Sequence, residues 1–148
     1  MTAIYGNDAP VNMTATAAEY YLQGSLVMVT TNAVTIITAD ESITVGVVDQ
    51  KTVNAEQTAR AVVASEKIGI WPLGCGRIVN VRSQDAQTYT VGMLVVNSDT
   101  VDGACAITVG STGDNVIGTY MGDGEVTTAD GDLIPVLLNV APDTADHS

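Results

Sequence analysis

Short runs of β-branched residues, each closed by a turn residue, are the feature that most limits what this chain can become. It contains 21 Val, 19 Thr and 10 Ile, side chains whose branched Cβ suits a pleated strand and loses rotamer freedom in a helix. The expected class is therefore all-β. Phe is absent and aromatics are 4% of 148 residues, so the core must be built from Val, Ile, Leu, Met and Ala in thin layers. That suits a small β-barrel or β-sandwich, and the length suits a single core.

Along the chain, residues 1–18 lack an apolar period and carry Gly6 and Pro10, which predicts an extended N-terminal arm ahead of one β-domain at 19–140. Leu26–Val29 and Val34–Thr38 read as a hairpin across Thr30-Thr31-Asn32, and Ile43–Val48 as a third strand. Gly46 inside that strand marks a bulge or a close backbone approach. Asn54–Glu66 fits helix or strand, with strand preferred. Lys67–Leu73, Gly74-Cys75-Gly76 and Arg77–Arg82 read as strand, turn and strand, the first lying at an edge or ending at Pro72, whose nitrogen cannot donate. Tyr89–Val96, Cys105–Val109, Val116–Met121 and Leu133–Val140 complete a meander, and 141–148 is expected to be a flexible C-terminal tail.

Five basic against seventeen acidic residues give a net charge of −12, which repels a phosphate backbone and removes nucleic acid as an expected partner. Charged residues are only 15% against roughly 25% in an average domain, the mark of a surface meant for contact. No stretch approaches the ~20 apolar residues of a membrane span, and the first residues lack a basic region or an apolar run, so a cytoplasmic origin and no membrane partner are expected.

Chemistry is sparse. The only histidine is His147, in the expected tail, so no histidine triad or histidine metal cage is expected in the body. Cys75 and Cys105 show no metal-ligand or redox spacing and are expected to be buried and reduced. Asp123-Gly124-Glu125 and Asp130-Gly131-Asp132 could hold calcium on carboxylate oxygens, but Asp-Gly is also the favoured strand-to-strand turn, and the turn is the expectation. The chain is thus expected to have no catalytic residue, no metal and no cofactor. Trp71 is expected at the core or an edge. Tyr20 and Tyr21 are neighbours, so one ring should face outward. If the arm is the docking element, Tyr5, Val11, Met13, Tyr20 and Tyr21 are the contact candidates, and removing residues 1–15 should leave the body folded.

The order of Val45-Gly46-Val47-Val48, the Ile68–Val81 segment with its Trp71-Pro72-Leu73-Gly74-Cys75-Gly76-Arg77-Ile78-Val79-Asn80-Val81 core, Tyr89–Val96, Val116–Tyr120 and Asp130–Leu138 resembles the head decoration, or capsid-cement, proteins of tailed bacteriophages. The resemblance covers about the last two thirds of the chain. It implies a structural virion protein made in the host cytoplasm, often a homotrimer, that binds the outer surface of the assembled capsid. There it would bridge major capsid protein subunits and stabilise the shell. The alternative is a carbohydrate- or surface-binding β-module such as a fibre or adhesin domain, which would need exposed aromatic platforms.

Overall fold

The computed structural model describes residues 9–16, 20–38, 44–49, 66–107 and 115–139. They form an all-β fold, about half of it strand, with no helix among the described residues. The strands are β1 (Val11–Thr14), β2 (Leu26–Thr30), β3 (Ala33–Ile36), β4 (Gly46–Val48), β5 (Lys67–Pro72), β6 (Ile78–Arg82), β7 (Thr88–Tyr89), β8 (Leu94–Asn97), β9 (Cys105–Ile107), β10 (Val116–Tyr120), β11 (Val126–Thr127) and β12 (Leu133–Leu137). Sheet A has the order β1-β5-β4-β2-β3, sheet B the order β6-β12-β10-β8-β9, and β7 and β11 form a two-stranded ribbon. The sheets are open, so the barrel alternative is not the one adopted.

The β2–β3 hairpin forms as its sequence predicts, with Asn32 at φ 60° in the turn, a conformation that Asn tolerates better than most residues. Alternation along β2 then decides what each side chain does. Leu26 joins a core shared by both sheets, with Val47, Val81, Val95, Ile117, Ile134 and Val136. Val27 points the other way, into a second cluster with Tyr21, Val34, Val48, Ile68 and Ile70. Sheet A is thus apolar on both faces. It is also curled: Ala15 bridges to Val34, bringing the two edge strands together at one point, and the Thr16 amide donates to Val34 O at 2.9 Å.

Gly46 is a close approach. A Cβ there would stand 2.7 Å from Trp71 O and collide with the Ile70 side chain, so only glycine lets β4 lie this tightly on β5.

Two expectations need correction. Val11–Thr14 is not an unpacked arm but strand β1, paired with β5 from Val11↔Ile70 to Thr14↔Lys67; residues 1–8, 17 and 18 lie outside the described residues. The Lys67–Pro72 strand ends at Pro72, one of the two placements expected for it, and lies inside sheet A between β1 and β4. Strand, turn and strand follow one another at β5, Gly74–Gly76 and β6 as expected, and the turn carries the chain from sheet A to sheet B, so that β5 and β6 do not pair. The second correction is that the Tyr89–Val96 run splits into β7 and β8 at a turn with Gly92 at φ 89°. Of Asn54–Glu66 only Glu66 is described, and the tail at 141–148 with His147 lies outside the described residues.

Candidate interaction surface

Residues directly opposite each other in a sheet share a face. The pairs Ile78↔Leu137, Leu137↔Thr119 and Thr119↔Leu94 therefore place one side chain from each of β6, β12, β10 and β8 in a single row. Val79, Val136 and Tyr120, one step along, belong to the core or pack against it, so the Ile78 row faces outward. Its ends are bare: Ile78 is 57% and Leu94 46% exposed. Met121, whose amide donates to Pro135 O at 2.9 Å, and Leu133 extend the apolar area and are also exposed. Across the five strands of sheet B the only charged residue is Arg82.

Arg82 is held by its own protein. Its Nε donates to Gln23 O at 3.1 Å and its Nη1 to Gly131 O at 3.2 Å, while its backbone amide donates to Gly24 O at 2.9 Å. Burial lowers its pKa, against the Asp130 carboxylate, which raises it. One guanidinium thus ties the end of β6 to the Gly24 turn and to the Asp130-Gly131-Asp132 turn.

Both acidic segments contain left-handed glycines, Gly124 at φ 91° and Gly131 at φ 81°, as turns between strands require. The Asp132 carboxylate accepts from the Ala129 amide at 2.8 Å, closing its own turn. Among the described residues no group of three or more His, Cys, Asp or Glu is gathered as a metal site would need.

Along the outer edge of β6, the end strand of sheet B among the described residues, runs a cleft of about 180 Å³, lined by Gln23, Val48, Asp49, Trp71, Arg77, Ile78, Val79 and Asn80. Trp71 Nε1 donates to Asp49 Oδ1 at 2.9 Å, and the Arg77 guanidinium stands 5.6 Å from the indole centroid, a cation–π distance. Trp71 packs against the core. The Arg77 guanidinium already stands over that ring.

Behind the outer face lies a buried polar knot. Ser83 Oγ is 2.8 Å from Tyr89 Oη and 3.1 Å from Thr128 Oγ1, and Tyr89 Oη is 3.5 Å from Cys105 Sγ. Burial pushes the Cys105 thiol up to about 12, against its hydrogen bonds to Tyr89, to its own backbone and to Ser83, which lower it. Burial first, then the nearby Cys105 thiol, hold Tyr89 well above the ordinary phenol range. A thiol so held is not a nucleophile. Cys75 is free and half-buried, more open than expected, whereas Cys105 is free and buried as expected.

The contact candidates separate sharply. Val11 and Tyr20 are exposed, at 41% and 51%. Met13 is half-buried against the second cluster. Tyr21 is 2% exposed and its hydroxyl donates to Val34 O at 2.8 Å; it is a core residue, which corrects its place among the contacts. Tyr5 lies outside the described residues. The sequence did signal that one of the adjacent tyrosines would face out, and Tyr20 is that one. What it missed is the outer row of sheet B, since Ile78, Leu94 and Leu133 look in sequence like any other core residue.

Neither the known protein-family models nor the curated proteins include a match to this chain.

Proposed function

We propose that this protein is a structural subunit that lays the outer face of sheet B against the surface of an assembled protein shell, as a head decoration protein of a tailed bacteriophage does. The observation that carries this is the row Ile78–Leu137–Thr119–Leu94 with Met121 and Leu133 beside it: an exposed, carboxylate-free apolar face on a chain of net charge −12. A chain with that much acid leaves one face free of carboxylates where contact is made, since desolvating a charge costs far more than desolvating a methyl group. The segments that carry the family resemblance supply β4 and β5 of sheet A and also β6, β8, β10 and β12, the four strands that carry the row. In this reading the partner is the major capsid protein, copies associate as trimers on the capsid exterior, and many modest contacts sum to a large stabilisation.

The test is binding to intact phage heads. Wild-type protein should bind and raise the melting temperature of the heads, and the double variant Ile78→Glu, Leu94→Glu should bind at least about tenfold more weakly, since burying two carboxylates costs well over 1.4 kcal/mol. Its own melting temperature should not fall, because both side chains already face water. Equal binding by the variant would remove the face from the proposal. Binding to isolated glycans, with heads unaffected, would favour the carbohydrate-binding alternative.

A further inference from the structure

The outer face of sheet B has a charged border at one end, and that border restricts what can lie against it. Strand β12 starts at Leu133, directly after Asp132, while β10 ends at Tyr120 and is followed by Met121, Asp123 and Glu125. The two strands are antiparallel and the Met121 amide donates to Pro135 O, so Met121, Leu133 and both acidic turns stand at the same end of the sheet. Asp123, Glu125, Asp130 and Asp132 are all exposed. Of the described basic residues only Arg82, opposite Leu133, is at this end, and its guanidinium is held by Gln23 O and Gly131 O. Asp130 acts on Arg82, and Asp132 closes its own turn. Asp123 and Glu125 make no hydrogen bond or ion pair among the described residues, so their charge meets whatever approaches the face.

We propose that the occupant of this face is a protein surface whose apolar patch is bordered on one side by lysine or arginine, and that it docks with those cations over the 122–125 and 129–132 turns. The inference rests on the docking reading above and adds to it the partner's charge and the direction in which that charge lies. An apolar contact flanked by these carboxylates repels an acidic protein surface, an anionic lipid surface and a nucleic-acid backbone alike, and a cationic border is what complements it. Exposed ion pairs add little to holding strength. They act on the rate of approach, whereas the desolvated row from Ile78 to Leu94 governs the rate of departure.

Association and dissociation kinetics of the full-length protein on intact phage heads test this. Raising NaCl from about 0.1 M to about 1 M shortens the screening length from about 10 Å to about 3 Å, and wild-type association should slow at least about tenfold with little change in dissociation. The variant Asp123→Asn, Glu125→Gln should associate at least about threefold more slowly at the lower salt, lose most of the salt dependence and dissociate as wild type does. Asp99→Lys changes the net charge by the same amount, but Asp99 follows the end of β8 that pairs with the start of β10, away from the 122–125 turn, so it should keep the wild-type salt dependence. Should the double variant fail to fold, the wild-type salt dependence decides alone. Association that ignores salt, slows as much in Asp99→Lys, or speeds up when Asp123 and Glu125 are neutralised would overturn the proposal and leave the apolar face in place. Wild-type protein that binds heads at neither salt concentration would remove the docking reading itself, and this proposal with it.

Discussion

At the scale of single residues, backbone conformation and burial give the sharpest expectations. Ala86 sits at φ 57°, a left-handed conformation that costs an L-residue with a Cβ roughly 1–2 kcal/mol. Its amide still donates to Thr128 O at 2.8 Å, so the turn is held from outside. Ala86→Gly should therefore stabilise the protein by about 1 kcal/mol after the entropy of the unfolded glycine is set against the relief. That corresponds to a rise of about 2–4 °C in Tm, measurable by calorimetry. The two thiols should differ as their burial does. A thiol reagent should modify Cys75 in the native protein and reach Cys105 only in denaturant; native labelling of both at similar rates would contradict the buried knot of Ser83, Tyr89 and Cys105.

At the scale of elements, β1 changes what a truncation does. Removing residues 1–15 deletes a strand with four paired positions on β5, together with Met13 and the buried Ala15. The body should then lose stability, on the order of 3 kcal/mol or more, contrary to the expectation for a free arm. Removing residues 1–8 leaves β1 and its pairing with β5 in place and should cost less. Urea denaturation of the two truncations separates these outcomes. The segment around Gly74–Gly76 teaches a related lesson. Its glycines are those of a tight turn, and the sequence reads as strand, turn and strand, yet the strands on either side belong to different sheets. Turn chemistry fixes a change of direction; where the next strand finds its partner depends on β12, about fifty residues later.

At the scale of the whole molecule, the two buried acids of the knot set the alkaline limit. Both Cys105 and Tyr89 have folded pKa values above their ordinary ones. The unfolded chain therefore releases these protons first as pH rises, and the folded state, which keeps them, loses stability. The contribution is complete below about pH 9 and should decline from there toward pH 12, at up to about 1.4 kcal/mol per pH unit for each group. Cys105→Ala should flatten the decline in a series of urea melts between pH 8 and 11; an unchanged slope would mean that the thiol is not held neutral. The sequence by itself determined that this chain is all-β, where most of its turns fall, that Gly46 is a bulge or a close approach and that one of Tyr20 and Tyr21 faces out. Those properties are local, written in branched Cβ atoms, glycines and the two-residue period of a strand. Only the tertiary structure decided that Val11–Thr14 belongs to sheet A, that Tyr21 is the buried ring, that Ile78 and Leu94 lie in one exposed row and that β6 is the end strand of sheet B among the described residues. Pairing joins residues far apart in sequence, and an apolar residue on a strand reads the same whether the face it lands on is covered or bare.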